Sequence, residues 1–312
     1  MNNGLISIVI PTFNRAHLIA ETLNSILEQS YGIWECIIID DNSTDYTIEV
    51  VTSFLKDDRF KFFVKPNQYL KGANGSRNFG LDLSKGEYLF WFDSDDIIHP
   101  FTFELCMNEF KQNSIDFCRF RRTVFYDNFD YKKFDDFVID ENKFFIDKTH
   151  VEKIINNELP FNTCNLMWKK KSLGSERFSD QLLYAEEWEY YSRLVSNSLR
   201  GVSINKILIY ARKHSESQTN EFYSKDVRRV QATNDAALLI VKNLAFKNML
   251  TKSLKRYFII FSVSYKEYNL FEQIMEAMQL SSIENIKWRF FYKILPLRIY
   301  GYRIKKRILK KL

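Results

Sequence analysis

Short apolar runs alternate with helix-spaced ones through the first hundred residues. Residues 6–10, 36–39, 60–64 and 88–92 are rich in Ile, Val, Phe and Tyr, and each run ends in turn residues. Between them, Leu18, Ile19, Leu23, Ile26 and Leu27 recur at helical spacing. A second helix is expected after Asn42-Ser43-Thr44-Asp45, with Ile48, Val51 and Leu55 as its apolar face, and a third after Gly75. Such βαβ alternation predicts an α/β, Rossmann-like fold: a mostly parallel sheet flanked by helices, with functional groups beyond the carboxyl ends of the strands.

Downstream the pattern weakens. From Arg122 to about Phe161 aromatics mix with Asp and Lys without a period, which predicts an irregular segment over the sheet. Residues 182–195 become helical in their second half, and 201–212 read as a strand in which Val202, Ile204, Ile207 and Ile209 alternate imperfectly. After Tyr223 a helical region runs to Leu280, so the expected organisation is a domain over 1–222 followed by a helical region over 223–312. No internal repeat is visible.

Composition changes this picture in two places. A chain of 312 residues with 46% hydrophobic and 16% aromatic content can bury one large core with a smaller appended unit. No run reaches the length of a membrane-spanning helix, and the opening apolar run lacks a charged leader, so a cytoplasmic location is expected. Cys36, Cys106, Cys118 and Cys164 stand singly and are read as reduced thiols. The net charge of +6 is not spread evenly: residues 286–312 hold ten Lys or Arg and no acid, leaving 35 basic against 39 acidic residues elsewhere.

The candidate chemistry lies in the turns after the strands. Phe90-Trp91-Phe92 runs into Asp93-Ser94-Asp95-Asp96, and carboxylates so crowded raise one another's pKa unless a cation with a preference for oxygen joins them. An acidic turn leading to a helix cap is the structural alternative. Pro11-Thr12-Phe13-Asn14-Arg15 follows the first strand and Asp40-Asp41-Asn42-Ser43 the second. Neither carries a glycine fingerprint, and Gly72, Gly75 and Gly80 have the wrong spacing, which excludes dinucleotide-fold and P-loop readings.

Taken in order, residues 8–15, 37–45, Arg77-Asn78, Gly86-Glu87-Tyr88, Asp93-Ser94-Asp95-Asp96 and Ala185-Glu186-Glu187-Trp188-Glu189 resemble the family 2 glycosyltransferases of the GT-A fold. The likeness covers the first hundred residues densely and reappears near 187. It implies an inverting, metal-dependent enzyme that takes a sugar from a nucleotide-diphosphate donor, with UDP expected, and passes it to a hydroxyl of a surface glycan or lipid-linked acceptor. By that resemblance Pro11, Thr12, Asn14, Asp41, Arg77, Asp93 and Ser94 bind the nucleotide, with Asp41 accepting the base N–H. Asp95, Asp93 and Asp96, with His214 in the loop after the last core strand, would hold Mn²⁺ or Mg²⁺. Glu187 stands where the family carries its catalytic base, usually Asp, and Ala185 replaces the common Gly. Glu186 and Glu189 are neighbours that compete for the assignment; Asp41 has the alternative of capping the following helix, Arg77 that of a surface salt bridge, His214 that of a loop histidine without a role, and Trp188, a candidate to stack on a sugar, that of a core residue. A nucleotidyltransferase lacks support because its phosphate loop is absent; a glycan- or membrane-binding module that has kept the fold is the non-enzymatic alternative.

In the tail, Leu297, Tyr300, Ile304, Ile308 and Leu312 recur among Arg298, Arg303, Lys305, Lys306, Arg307, Lys310 and Lys311. This basic amphipathic helix suits peripheral contact with the inner face of an anionic membrane, or packing on its own domain with a solvated basic face; nucleic acid is not expected.

Overall fold

The computed structural model describes residues 4–126, 128–134, 142–213, 227–264 and 268–309. Two compact units, Met1–Lys225 and Asp226–Leu312, divide the chain. The first begins with β1 (Ile6–Thr12), α1 (Ile19–Leu27), β2 (Trp34–Asp40), α2 (Thr47–Thr52), β3 (Phe60–Val64), α3 (Ala73–Leu83) and β4 (Tyr88–Trp91). β2 is buried at every position and β1 at all but Pro11, as expected of central strands covered on both faces. These strands pair in parallel in the order β3-β2-β1-β4. The chain runs from β1 outward to β2 and β3 and returns to the other side of β1 for β4, so a crevice opens beyond the ends of β1 and β4.

The unit continues through β5 (Ile97–Ile98), α4 (Thr102–Gln112), β6 (Phe117–Tyr126), β7 (Lys143–Ile146), α5 (Val151–Ile155), β8 (Leu166–Lys169), α6 (Lys170–Leu173), α7 (Glu186–Ser196) and β9 (Gly201–Lys213). The sheet extends as β4-β8-β6-β9-β5, with β7 also on β9. β8 runs antiparallel to β4 and β6, whereas β6 and β9 are parallel. The expectation of an irregular segment over 122–161 is therefore corrected. Arg122 to Tyr126 pair with β9, and Lys143–Ile146 form β7. Register shifts on either side of Arg121 interrupt the β6–β9 ladder just before this stretch.

One face of the sheet packs Ile6, Ile8 and Ile10 of β1, Cys36 and Ile38 of β2, and Phe90 and Phe92 against Ile19, Leu23 and Ile26 of α1 and Phe103 and Cys106 of α4. On the other, α3 lies so close to β1 that a Cβ on Gly80 would meet Val9 Cγ1 at 2.2 Å. That approach brings Arg77, almost one turn earlier, towards the end of β4. α3 begins at Ala73 and not after Gly75; a Cβ on Gly75 would stand 1.9 Å from the Leu70 carbonyl oxygen, so the first turn admits only glycine there. All four cysteines are buried and unbridged.

The second unit comprises α8 (Val227–Phe246), α9 (Lys252–Ser264), α10 (Tyr268–Ala277) and α11 (Ser282–Leu309). Among the described residues no helix is long and apolar enough to cross a membrane.

Candidate active site

The turns after β1 and β2 are laced together. Asn14 and Asn42 both adopt left-handed backbone, which asparagine tolerates better than most residues. The Asn14 N–H donates to Ser43 Oγ at 2.9 Å, and its side-chain Oδ1 accepts from the Thr44 N–H at 2.8 Å. Asn14 thus fixes the loops around the crevice. Asp41 does not cap α2, and it is Asp40 that closes the turn: its carboxylate accepts from the Ser43 N–H at 2.8 Å and from Ser43 Oγ. Asp41, 6% exposed, accepts from the Gly72 N–H at 2.6 Å through Oδ2 and pairs with Lys65 Nζ at 2.6 Å through Oδ1. The Asp41 N–H donates to the Thr12 carbonyl at 2.9 Å, which holds the Pro11-Thr12 turn beside it.

Beyond β4, Ser94 and Asp96 are buried while Asp93 and Asp95 are partly open. Asp96 Oδ1 accepts from the Arg212 N–H at 3.0 Å, tying the turn to β9, and the Arg212 guanidinium donates to the Asp95 carbonyl at 3.1 Å. Burial first, and then the neighbouring Asp95 and Asp93, push the Asp96 carboxyl well above its usual range. Ligand atoms of Asp93, Asp96 and Cys164 lie within 4.8 Å of one another. Two converging carboxylates whose mutual repulsion a cation would relieve suit a hard divalent ion such as Mn²⁺ or Mg²⁺. The Cys164 thiol does not: burial, with Asp96 and Asp93 adding to it, keeps it protonated. The Asp95 carboxylate is not in this cluster, and His214 lies outside the described residues.

Arg77 joins this turn to the start of α7. Its guanidinium, 7% exposed, donates to Asp93 Oδ1 at 3.1 Å and to Glu186 Oε1 at 3.3 Å. Burial opposes its charge, but Asp93, Glu186 and Glu187 outweigh that and raise its pKa. Glu189 forms a two-pronged pair with Arg193 one turn later, at 2.6 and 3.1 Å. Glu187 takes neutral donors instead: Oε1 accepts from the Thr163 N–H at 2.6 Å and from Thr163 Oγ1, and Oε2 from Asn162 Nδ2 at 3.5 Å. Trp188 donates its indole N–H to the Ile155 carbonyl at 3.0 Å, a structural contact. Ahead of them Ala185 adopts φ 60° and ψ 18°, the left-handed backbone that glycine would take without strain.

The motifs leave several of these partners unmarked. Lys65, Asn162, Thr163 and Cys164 come from segments with no acidic or glycine pattern. Burial opposes the charge of Arg122 on β6, but Cys164, Glu187 and Asp96 outweigh it and raise its pKa. An isolated Lys or Thr carries no sequence signal of such a role.

Comparison with known proteins follows the same residues. A family model described as Glycosyl transferase family 2 matches residues 7–174. The chain is 37% identical over 117 residues to the Escherichia coli protein named UDP-Glc:alpha-D-GlcNAc-diphosphoundecaprenol beta-1,3-glucosyltransferase WfgD, covering 38% of this chain and 45% of that one. It is 30% identical over 229 residues to the E. coli glucosyltransferase of the same description, WfaP, covering 72% and 84%. Matches to the first curated relatives therefore span less than half of their length, 45% for WfgD and 29% for a Campylobacter jejuni beta-1,3-glucosyltransferase. Among solved structures, Staphylococcus aureus TarS 1-349 in complex with UDP-GlcNAc aligns with a TM-score of 0.68 at 20% identity, over 87% of this chain and 79% of that one. The shared architecture is the GT-A fold.

Proposed function

This chain belongs to glycosyl transferase family 2, and on that premise we propose that it transfers a sugar, with inversion, from a UDP-sugar to a hydroxyl of a lipid-linked or surface glycan. One observation carries the reading. Arg77 bonds Asp93 of the acidic turn and Glu186 at the start of α7 together, so the groups suited to a donor diphosphate and the carboxylate suited to an acceptor hydroxyl share one crevice.

In this reading Asp41, oriented by Lys65 and the Gly72 N–H, keeps lone pairs for the base N–H, and the Pro11-Thr12 turn lies against the base. Asp93 and Asp96, with Asp95 beside them, would hold Mn²⁺ or Mg²⁺, which supplies charge neutralisation for the leaving diphosphate. Glu187, held by Thr163, takes the proton from the acceptor hydroxyl. The names of WfgD and WfaP make UDP-glucose the first donor to test and a GlcNAc-diphosphate lipid the first acceptor; such an acceptor would bring the enzyme to the cytoplasmic face of a membrane.

The test is calorimetric titration of the purified chain with UDP in Mn²⁺, in Mg²⁺ and in EDTA, followed by product analysis with UDP-glucose and a GlcNAc-diphosphate-alkyl acceptor. Binding that depends on the metal and is lost in Asp95→Asn, with a disaccharide product, supports the proposal. UDP binding that is unchanged by EDTA removes the metal from it, and no nucleotide binding under any condition overturns it.

A further inference from the structure

Along α11 the outward face is apolar where a solvated helix would be polar. Ile283, Ile286, Phe290 and Leu297 are 67%, 70%, 64% and 74% exposed. At 3.6 residues per turn these four positions fall within a sector of about 60°. Lys287 and Lys293, both exposed, lie on the two flanks of that sector. The other side of the helix is already used inside the unit. Leu295 is buried, Tyr292 stacks on Phe271 with ring centroids 3.8 Å apart, and Arg289 donates to both carboxylate oxygens of Glu272 at 2.6 Å. The stripe is therefore not the seam by which α11 joins its neighbours in the unit.

We infer that this stripe is a docking surface for an anionic lipid bilayer, with α11 lying along the surface. Charge selects the occupant. From residue 286 to residue 312 the chain holds ten Lys or Arg and no acid, so the helix offers an apolar edge in a strongly positive field. Lysines flanking an apolar edge can lay their methylene stems on the acyl boundary while their ammonium groups reach lipid phosphates. A second copy of the chain on the same stripe would bring two such basic helices together, and the repulsion disfavours it. None of the described helices can cross the bilayer, so the contact is interfacial. The inference goes beyond the transfer reaction and does not depend on it.

The experiment is flotation of the full chain with vesicles of phosphatidylcholine alone or mixed with phosphatidylglycerol, at low and high salt, for wild type and for Ile286→Asp/Phe290→Asp. Both residues are exposed, so circular dichroism should show an unchanged fold. The expected result is binding to the mixed vesicles only, weakened by salt, with partitioning of the double variant lower by at least on the order of tenfold. Equal binding of the variant, or equal binding to neutral vesicles, overturns the inference. So does a wild type that ignores both vesicles while self-associating through a contact the variant loses, since the stripe would then be covered by a second copy.

Discussion

Glu187→Gln isolates the proton transfer proposed for the crevice. The substitution keeps size and shape, and the amide oxygen can still accept from the Thr163 N–H and Thr163 Oγ1. The new NH₂ faces Asn162 Nδ2 across the longer 3.5 Å contact, where a turn of the Asn162 amide offers its oxygen instead. Fold stability should then change by no more than about 1 kcal/mol. With Glu187 as the proposed base, what is lost is proton transfer: general-base catalysis is worth about 10² to 10⁴ in rate, or roughly 3–5.5 kcal/mol of barrier. The assay is the initial rate of UDP release at saturating donor and acceptor, with the UDP dissociation constant measured separately by calorimetry. The expected outcome is a fall in kcat within that range and a dissociation constant within about twofold of wild type. Turnover within a few-fold of wild type refutes the assignment. So does a matched loss of UDP affinity, because Glu187 would then act in binding and not in proton transfer.

Three further outcomes follow from other groups. Ala185→Gly should raise stability: an L-residue in left-handed backbone costs on the order of 1 kcal/mol and glycine returns part of that as unfolded-chain entropy, so urea unfolding should show a net gain below ~1 kcal/mol, and a clear loss would mean that the position carries no strain. Lys65→Met strands the buried Asp41 carboxylate and should cost about 3 kcal/mol; adding Asp41→Asn should recover much of the stability in a double-mutant cycle without restoring UDP binding, and full additivity would deny the pair. Burial alone would raise the Glu35 carboxyl, but Lys61, Ser7 Oγ and the Lys85 N–H together hold it below its ordinary range. Its contribution is therefore complete above the unfolded carboxyl pKa and lost as pH falls through the lower folded value. Glu35→Gln should cost about 1–2 kcal/mol at neutral pH and converge with wild type in acid, and parallel stability curves down to low pH would rule this out.

The strands and the acidic turn were legible because an aromatic run that stops in three aspartates is a physical contradiction unless the charges leave the core at a strand end. The division of labour between adjacent acids was not. Asp40 and Asp41 are alike in sequence, yet successive side chains at a strand end point to opposite faces, so one bonds Ser43 across the turn while the other meets Lys65. The cluster at 186, 187 and 189 reads as one solvated acidic helix start, yet steps of 100° around α7 send the three to Arg77, Thr163 and Arg193. Each partner is remote in sequence or too common in type to carry a signal. The consequence is mechanical. With Glu186 spent on Arg77 and Glu189 on Arg193 of the same helix, the one carboxylate of the three left to neutral donors is aimed by the 162–163 segment and not by its own helix. Thr163→Val, which removes the hydroxyl and keeps the backbone N–H, should therefore lower kcat more than it raises the KM for either substrate. A change confined to KM would place Thr163 in binding and leave the aim of Glu187 to α7 after all.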